Sequence, residues 1–204
     1  MTALRHDDGV GSAADPGGFR RRLLDGLAAA IAADGYRATT VGEVVRRART
    51  SRRTFYQHFA DKEACYVALL TEANDRMIRE ITAATDPSAP WTDQVRQAVR
   101  AWIGCAESMP ALTLSWIRDV PALGANSRGL QRDLMDSFIA MVRSMCDNPE
   151  FRAAGIWPVS AATATVLLGG LRELIATTVE DGGRVEDITE DAVRAAIALL
   201  APRD

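Results

Sequence analysis

Residues 39–63, TTVGEVVRRARTSRRTFYQHFADKE, leave the chain little choice of local structure. Thr40 is a helix N-cap with Glu43 three residues later, the spacing of a capping box, and Val41, Val44, Val45 and Ala48 recur at helical spacing to make one buried face. Almost at once a second start follows at Ser51 and Thr54, and Phe55 and Phe59, four residues apart, point into the same small core. That phase turns Arg52, Arg53, Thr54, Tyr56, Gln57 and His58 outward. Asp61 then caps a further helix, whose N-terminal amides and Lys62 form a natural phosphate site. Two short helices joined by a tight turn, the second armed with cations, hydroxyls and an amide, form a helix-turn-helix. Its second helix has the width to enter the major groove and the donors to read base edges.

Charge supports a local rather than a general affinity for nucleic acid. The whole chain of 204 residues carries a formal charge of −3, which excludes a uniformly basic, nonspecific binder. Residues 20–62, however, hold ten Arg or Lys against four Asp or Glu, and residues 63–204 hold thirteen against twenty. A basic head on an acidic body attracts phosphate at one end and repels it elsewhere, which orients docking. The three cysteines are far apart and form no Cys-x-x-Cys pair, so neither a disulfide scaffold nor a metal site is expected, and no cofactor is implied. Catalysis lacks a constellation: His6 lies near the N-terminus, His58 sits on the outward helix, and Gly169-Gly170 has no preceding strand or following Lys-Ser/Thr to make a phosphate loop. The chain is expected not to be an enzyme. No apolar run approaching about 20 residues is apparent, and no secretory segment, so no membrane partner and a cytoplasmic location are expected.

Gly35-Tyr36, Thr39-Thr40-Val41, Ser51-Arg52-Arg53-Thr54-Phe55-Tyr56-Gln57-His58-Phe59 and Asp61-Lys62-Glu63 together resemble the N-terminal domain of the TetR family of bacterial transcriptional regulators. The likeness covers roughly residues 20–70. It departs from the family pattern at Ala48-Arg49-Thr50, where the turn usually carries a glycine, at Arg53, where a small residue is frequent, and at Gln57, which replaces a frequent second tyrosine. The resemblance implies an all-α protein with a three-helix helix-turn-helix domain followed by a larger ligand-binding and dimerisation domain, acting as a repressor. Its DNA contacts would be Thr40, Ser51, Arg52, Arg53, Thr54, Tyr56, Gln57, His58 and Lys62, and its partner palindromic operator DNA.

Helical periodicity and Pro/Gly breaks divide the chain into about nine helices. Residues 1–15 read as a disordered arm, 16–65 as the helix-turn-helix domain and 66–204 as the body. Within the body the stretch from Pro158 to about residue 180 is apolar on more than one face, with Ala161, Ala162, Ala164, Gly169 and Gly170 permitting close approach, and residues 187–202 repeat the pattern. These two helices suit a homodimer interface, which a reader of palindromic DNA needs. Trp102, Met109, Trp116, Phe138 and Met141 supply large, adaptable apolar groups suited to a pocket for a small apolar or amphipathic ligand of unknown identity, with Glu107, Ser115, Arg118, Asp119, Arg172 and Glu173 as polar groups that could orient it. The rival reading is an all-helical small-molecule or lipid-binding protein whose helix-turn-helix is vestigial, which would not require the Arg52, Arg53 and Tyr56 face.

Overall fold

Short polar side chains fix where several of the helices begin. Thr40, Ser51, Asp61, Asn148 and Ser160 each stand in extended backbone, and their side-chain oxygens accept N–H groups that have no partner within the helix: Glu43 N at 3.2 Å, Thr54 N at 3.0 Å, Ala64 N at 2.7 Å, Glu150 N at 3.0 Å and Thr163 N at 3.0 Å. The computed structural model describes residues 16–123 and 125–202; the expected arm at 1–15, with His6, lies outside them. Over the described residues the chain is all-helical, with helices α1 (Pro16–Ala38), α2 (Val41–Arg47), α3 (Arg52–His58), α4 (Lys62–Ala84), α5 (Trp91–Ser108), α6 (Pro110–Arg118), α7 (Ala125–Met145), α8 (Pro149–Ala153), α9 (Ala161–Glu180) and α10 (Thr189–Leu200), and 3₁₀ turns at Val120–Leu123 and Val185–Ile188.

Four details differ from the sequence reading. There are ten α-helices rather than nine among the described residues, because Asn148 both follows one helix and caps the five-residue α8 through Glu150 N and Phe151 N. The long apolar helix begins at Ala161, not Pro158, since Ser160 supplies the cap. Glu43 does not close a capping box; its carboxylate accepts from Arg46 Nε at 3.1 Å and Arg47 Nε at 2.8 Å, charged partners that outcompete a backbone amide. Finally, α9 is long and apolar enough, by length and composition, to cross a membrane, although only 28% of its apolar window is buried within the chain.

The head is α1, α2 and α3 around Leu23, Leu27, Val44 and Phe55, all with no exposed surface. α1 and α2 meet at Gly26, where a Cβ would stand 2.8 Å from the Val44 carbonyl oxygen, so only glycine permits this approach. α4 then runs without a break from head to body, burying Cys65, Tyr66, Leu69, Leu70, Asn74, Met77 and Ile81 on one side. It packs on α1, α5 and α7, while α5 lies on α10 and α6 on both α1 and α9. Cys65 and Cys146 are buried and Cys105 donates to Glu80 Oε2 at 3.0 Å; burial pushes all three thiols up to about 12, which keeps them protonated and unreactive.

Candidate DNA-reading face and the cavities behind it

The phase of α3 is set by its two phenylalanines. Phe55 is fully buried and Phe59 nearly so, their rings 5.7 Å apart, which leaves Arg52, Arg53, Tyr56 and Gln57 exposed and Thr54 and His58 half-buried. Tyr56 is 58% exposed, a large value for an aromatic residue of a packed head. Ser51 Oγ lies 2.9 Å from Thr54 Oγ1, so both hydroxyls are held at the start of the helix. The Arg52 guanidinium lies back across α2: a Cβ on Gly42 would stand 3.1 Å from Arg52 Nη2 and 3.6 Å from Thr40 Oγ1. Arg52 and Thr40, twelve positions apart in sequence, are thereby brought to one edge of the face.

Between the two helices the turn dispenses with glycine. Arg49 takes φ +49°, the left-handed conformation that the Ala48-Arg49-Thr50 sequence left open, and Thr50 N closes the turn on Val45 O at 3.0 Å. Among the described residues no acidic side chain pairs with Arg49, Arg52 or Arg53. Arg46 and Arg47 are engaged within the head, both on Glu43 and Arg47 also on Asp34, whereas Arg20 pairs with Glu72 of α4 and Arg37 with Asp119 at the end of α6. Among the described residues of the head, cations without an acidic partner thus stand at the turn (Arg49), on α3 (Arg52, Arg53) and on α1 (Arg21, Arg22).

Lys62 has a different geometry from the one expected of a phosphate contact. Its Nζ donates to Tyr36 O at 2.9 Å and Thr39 O at 2.8 Å and stands 4.3 Å from the Tyr36 ring centroid. Burial lowers its pKa, and two of its three protons are committed to the carbonyls that end α1. The same corner holds a buried polar relay. Tyr36 and Tyr66 stack with centroids 4.0 Å apart; Tyr66 Oη donates to Ser115 Oγ at 2.7 Å, Ser115 donates to Asp119 Oδ2 at 2.9 Å, and Asp119 Oδ1 faces Arg37 Nε at 3.2 Å. Burial, aided by nearby carboxylates, pushes Tyr36 up to about 12, and burial raises Tyr66 further. Head (α1), connecting helix (α4) and body (α6) are thus tied by two hydrogen bonds, an ion pair and a ring stack.

These observations fit what the comparisons show. Residues 23–69 match the sequence model of the bacterial regulatory proteins, tetR family. The head is thus similar to the DNA-binding domain of that family. TetR-family proteins are DNA-binding regulators, not enzymes. No curated protein sequence matches the chain. Among solved structures it is similar to the fatty acid degradation regulator FadR of Bacillus halodurans (TM-score 0.77, 14% identity, 89% of this chain and 94% of that one). It is also similar to the transcriptional regulator FadR of Bacillus subtilis in complex with stearoyl-CoA (0.76, 13%, 87% and 97%), and to a TetR-family transcriptional regulator of Streptomyces coelicolor (0.70, 20%, 91% and 90%). These likenesses, all at low identity, show that the fold of the body as well as of the head is shared with those regulators.

Behind the head the five apolar residues singled out in the sequence divide between two cavities. Trp102 and Met141 line one of about 60 Å³ among α4, α5, α7, α9 and α10, together with Val95, Val99, Leu168 and Leu171. Met109, Trp116 and Phe138 line a second of about 30 Å³ between α4, α6 and α7, with Leu70, Asn74, Met77 and Thr113. Phe138 stands between two tryptophans, its ring centroid 5.7 Å from that of Trp102 and 5.7 Å from that of Trp116. Of the polar groups named from sequence, Ser115 and Asp119 belong to the relay, Glu107 Oε2 accepts Val185 N at 2.8 Å, and Arg118 joins α6 to α9 through Glu173 and Glu180. Arg172 lies 4.7 Å over the Trp116 ring. Sequence reading missed Asn74, an amide on the apolar face made by Leu70, Ala73 and Met77; that break in an otherwise apolar stripe was the available signal.

Proposed function

We propose that this protein is a homodimeric TetR-family repressor that binds palindromic operator DNA through α3 of each head and is released by a small apolar or amphipathic molecule held in the body. The observation that carries the DNA reading is the phase of α3, which seats Phe55 and Phe59 in the core and presents Arg52, Arg53, Tyr56 and Gln57 together on the outside. In this reading Arg53 and Gln57 face base edges; Arg52, Thr40, Ser51, Thr54, Tyr56 and His58 bracket the phosphates. Lys62 acts chiefly by fixing the end of α1 against the start of α4, with one remaining proton for the backbone.

The dimer reading is supported by α9. Val166 is 62% exposed, and an apolar helix so little covered by its own chain calls for a second surface, which a second copy of α9 and α10 supplies. A membrane is a poorer cover, because Arg172, Glu173 and Glu180 lie on the same helix and are engaged with α6. The effector reading is supported by the two apolar cavities and by the stearoyl-CoA complex of the similar Bacillus subtilis regulator. A protein reading chromosomal operators works in the cytoplasm.

The test is a binding titration against DNA from upstream of its own coding region. Arg53→Ala and Gln57→Ala are each expected to cost about 1–3 kcal/mol on the operator and to leave random duplex nearly unaffected. Equal losses on operator and random DNA would remove this face as the reader. For a dimer neutralising roughly 6 to 10 phosphates, wild-type affinity should fall by about 10³ to 10⁵ between roughly 50 and 200 mM salt.

A further inference from the structure

Two residues that line the smaller cavity each carry an unpartnered polar atom. Asn74 and Trp116 are 6% and 8% exposed, both line the 30 Å³ space, and neither Asn74 Oδ1 nor Trp116 Nε1 has a protein hydrogen-bond partner. One is an acceptor and the other a donor, yet they are not bonded to each other. Buried polar atoms are almost always partnered, so two unpartnered atoms of opposite polarity on residues that line one small cavity call for a third group.

We infer that this cavity is the recognition subsite for a hydroxyl group carried on an otherwise apolar effector, the hydroxyl donating to Asn74 Oδ1 and accepting from the Trp116 indole N–H. The inference rests on the reading of the body as an effector domain and narrows the ligand class. A ketone or ether offers only an acceptor, and an ammonium only donors. A carboxylate presents no donor to Asn74 Oδ1; a hydroxyl satisfies both atoms at once. A space of about 30 Å³ admits roughly two water-sized groups, enough for a hydroxyl and the carbon that bears it. The remaining wall is apolar: Leu70, Ala73, Met77, Met109, Leu112 and Phe138. On the far side of the Phe138 ring, Trp102, whose own Nε1 is also unpartnered, lines the 60 Å³ cavity.

Occupation of this subsite has a direct mechanical consequence. Asn74 lies on α4 two turns beyond Tyr66, and Trp116 follows Ser115 on α6. A bridging hydroxyl therefore ties together the two helices that the Tyr66–Ser115 hydrogen bond joins at the head.

Octanol and octyl chloride, titrated into the full chain by calorimetry and tryptophan fluorescence, provide the test. The chloride matches the alcohol in length, lacks the donor and is the more hydrophobic, so nonspecific partition favours it. The expected result is that octanol binds at least about 10-fold more tightly, the effect of one well-placed hydrogen bond in a dry site. Asn74→Leu and, independently, Trp116→Phe should bring octanol down to the level of the chloride and leave the chloride unchanged. Equal affinities for wild type, no binding of either probe, or a preference that survives both substitutions would overturn the inference. Parallel titrations with operator DNA keep the two readings separate. Operator binding without an alcohol preference leaves the DNA reader standing and removes this subsite, whereas an alcohol preference lost in Asn74→Leu without any operator binding keeps the subsite and removes the regulator.

Discussion

Deleting either end of the Tyr66–Ser115 hydrogen bond should have unequal effects. Tyr66 has no exposed surface, and its hydroxyl donates at 2.7 Å to Ser115 Oγ, which donates in turn at 2.9 Å to Asp119. Tyr66→Phe removes one donor and leaves Ser115 still bonded to Asp119, so the loss is that of one neutral hydrogen bond, about 1 kcal/mol. Ser115→Ala is worse, because it leaves the Tyr66 hydroxyl buried without an acceptor, a cost of about 1–3 kcal/mol. Asp119 adds little, since its side chain is 21% exposed and pairs with Arg37. In the double variant the stranded hydroxyl is gone, so the combined loss should fall below the sum of the single losses by about 1 kcal/mol. Urea unfolding of the four proteins measures all three quantities. Strict additivity, or a Ser115→Ala variant more stable than Tyr66→Phe, would refute the relay as drawn.

Two further outcomes concern the head. Phe55→Ala should cost about 3–5 kcal/mol in the same assay, while Tyr56→Phe should leave stability unchanged and weaken operator binding, because only an outward hydroxyl is lost; the reverse pattern would mean that the phase of α3 is wrong. Arg49→Gly should raise the thermal midpoint, equivalent to about 0.5–1 kcal/mol, by relieving a non-glycine residue at φ +49°, and an unchanged or lower midpoint would show that the turn carries no strain.

What the sequence could and could not convey follows from the range of the forces involved. The caps at Thr40, Ser51 and Asp61 and the Phe55/Phe59 spacing are interactions within three or four residues, and the structure realises each of them. The internal hydrogen bonds of Lys62 are not legible in the sequence, because Tyr36 O and Thr39 O are more than twenty positions away and are backbone atoms, which no residue pattern advertises. Glu43 was misassigned through competition: the capping-box spacing was present, but two arginines one turn ahead on the same helix took the carboxylate. The large apolar groups of the body were recognisable as a set, yet their division into two cavities depends on where Phe138 of α7 falls between Trp102 of α5 and Trp116 of α6. Asn74 was overlooked for a related reason. A single amide in an apolar stripe reads as a surface residue until the helix on its other side is known.

The central claim, that two copies of this chain read DNA through α3, is tested most directly by selecting bound duplexes from a random pool with the full-length protein and sequencing them. The account predicts an enriched palindrome whose half-sites are centred about one helical turn apart, roughly 34–36 Å, and loss of enrichment at defined base pairs with Arg53→Ala or Gln57→Ala. A pool that emerges without any enriched sequence, or one whose enriched sequence is identical for wild type and both variants, would contradict it.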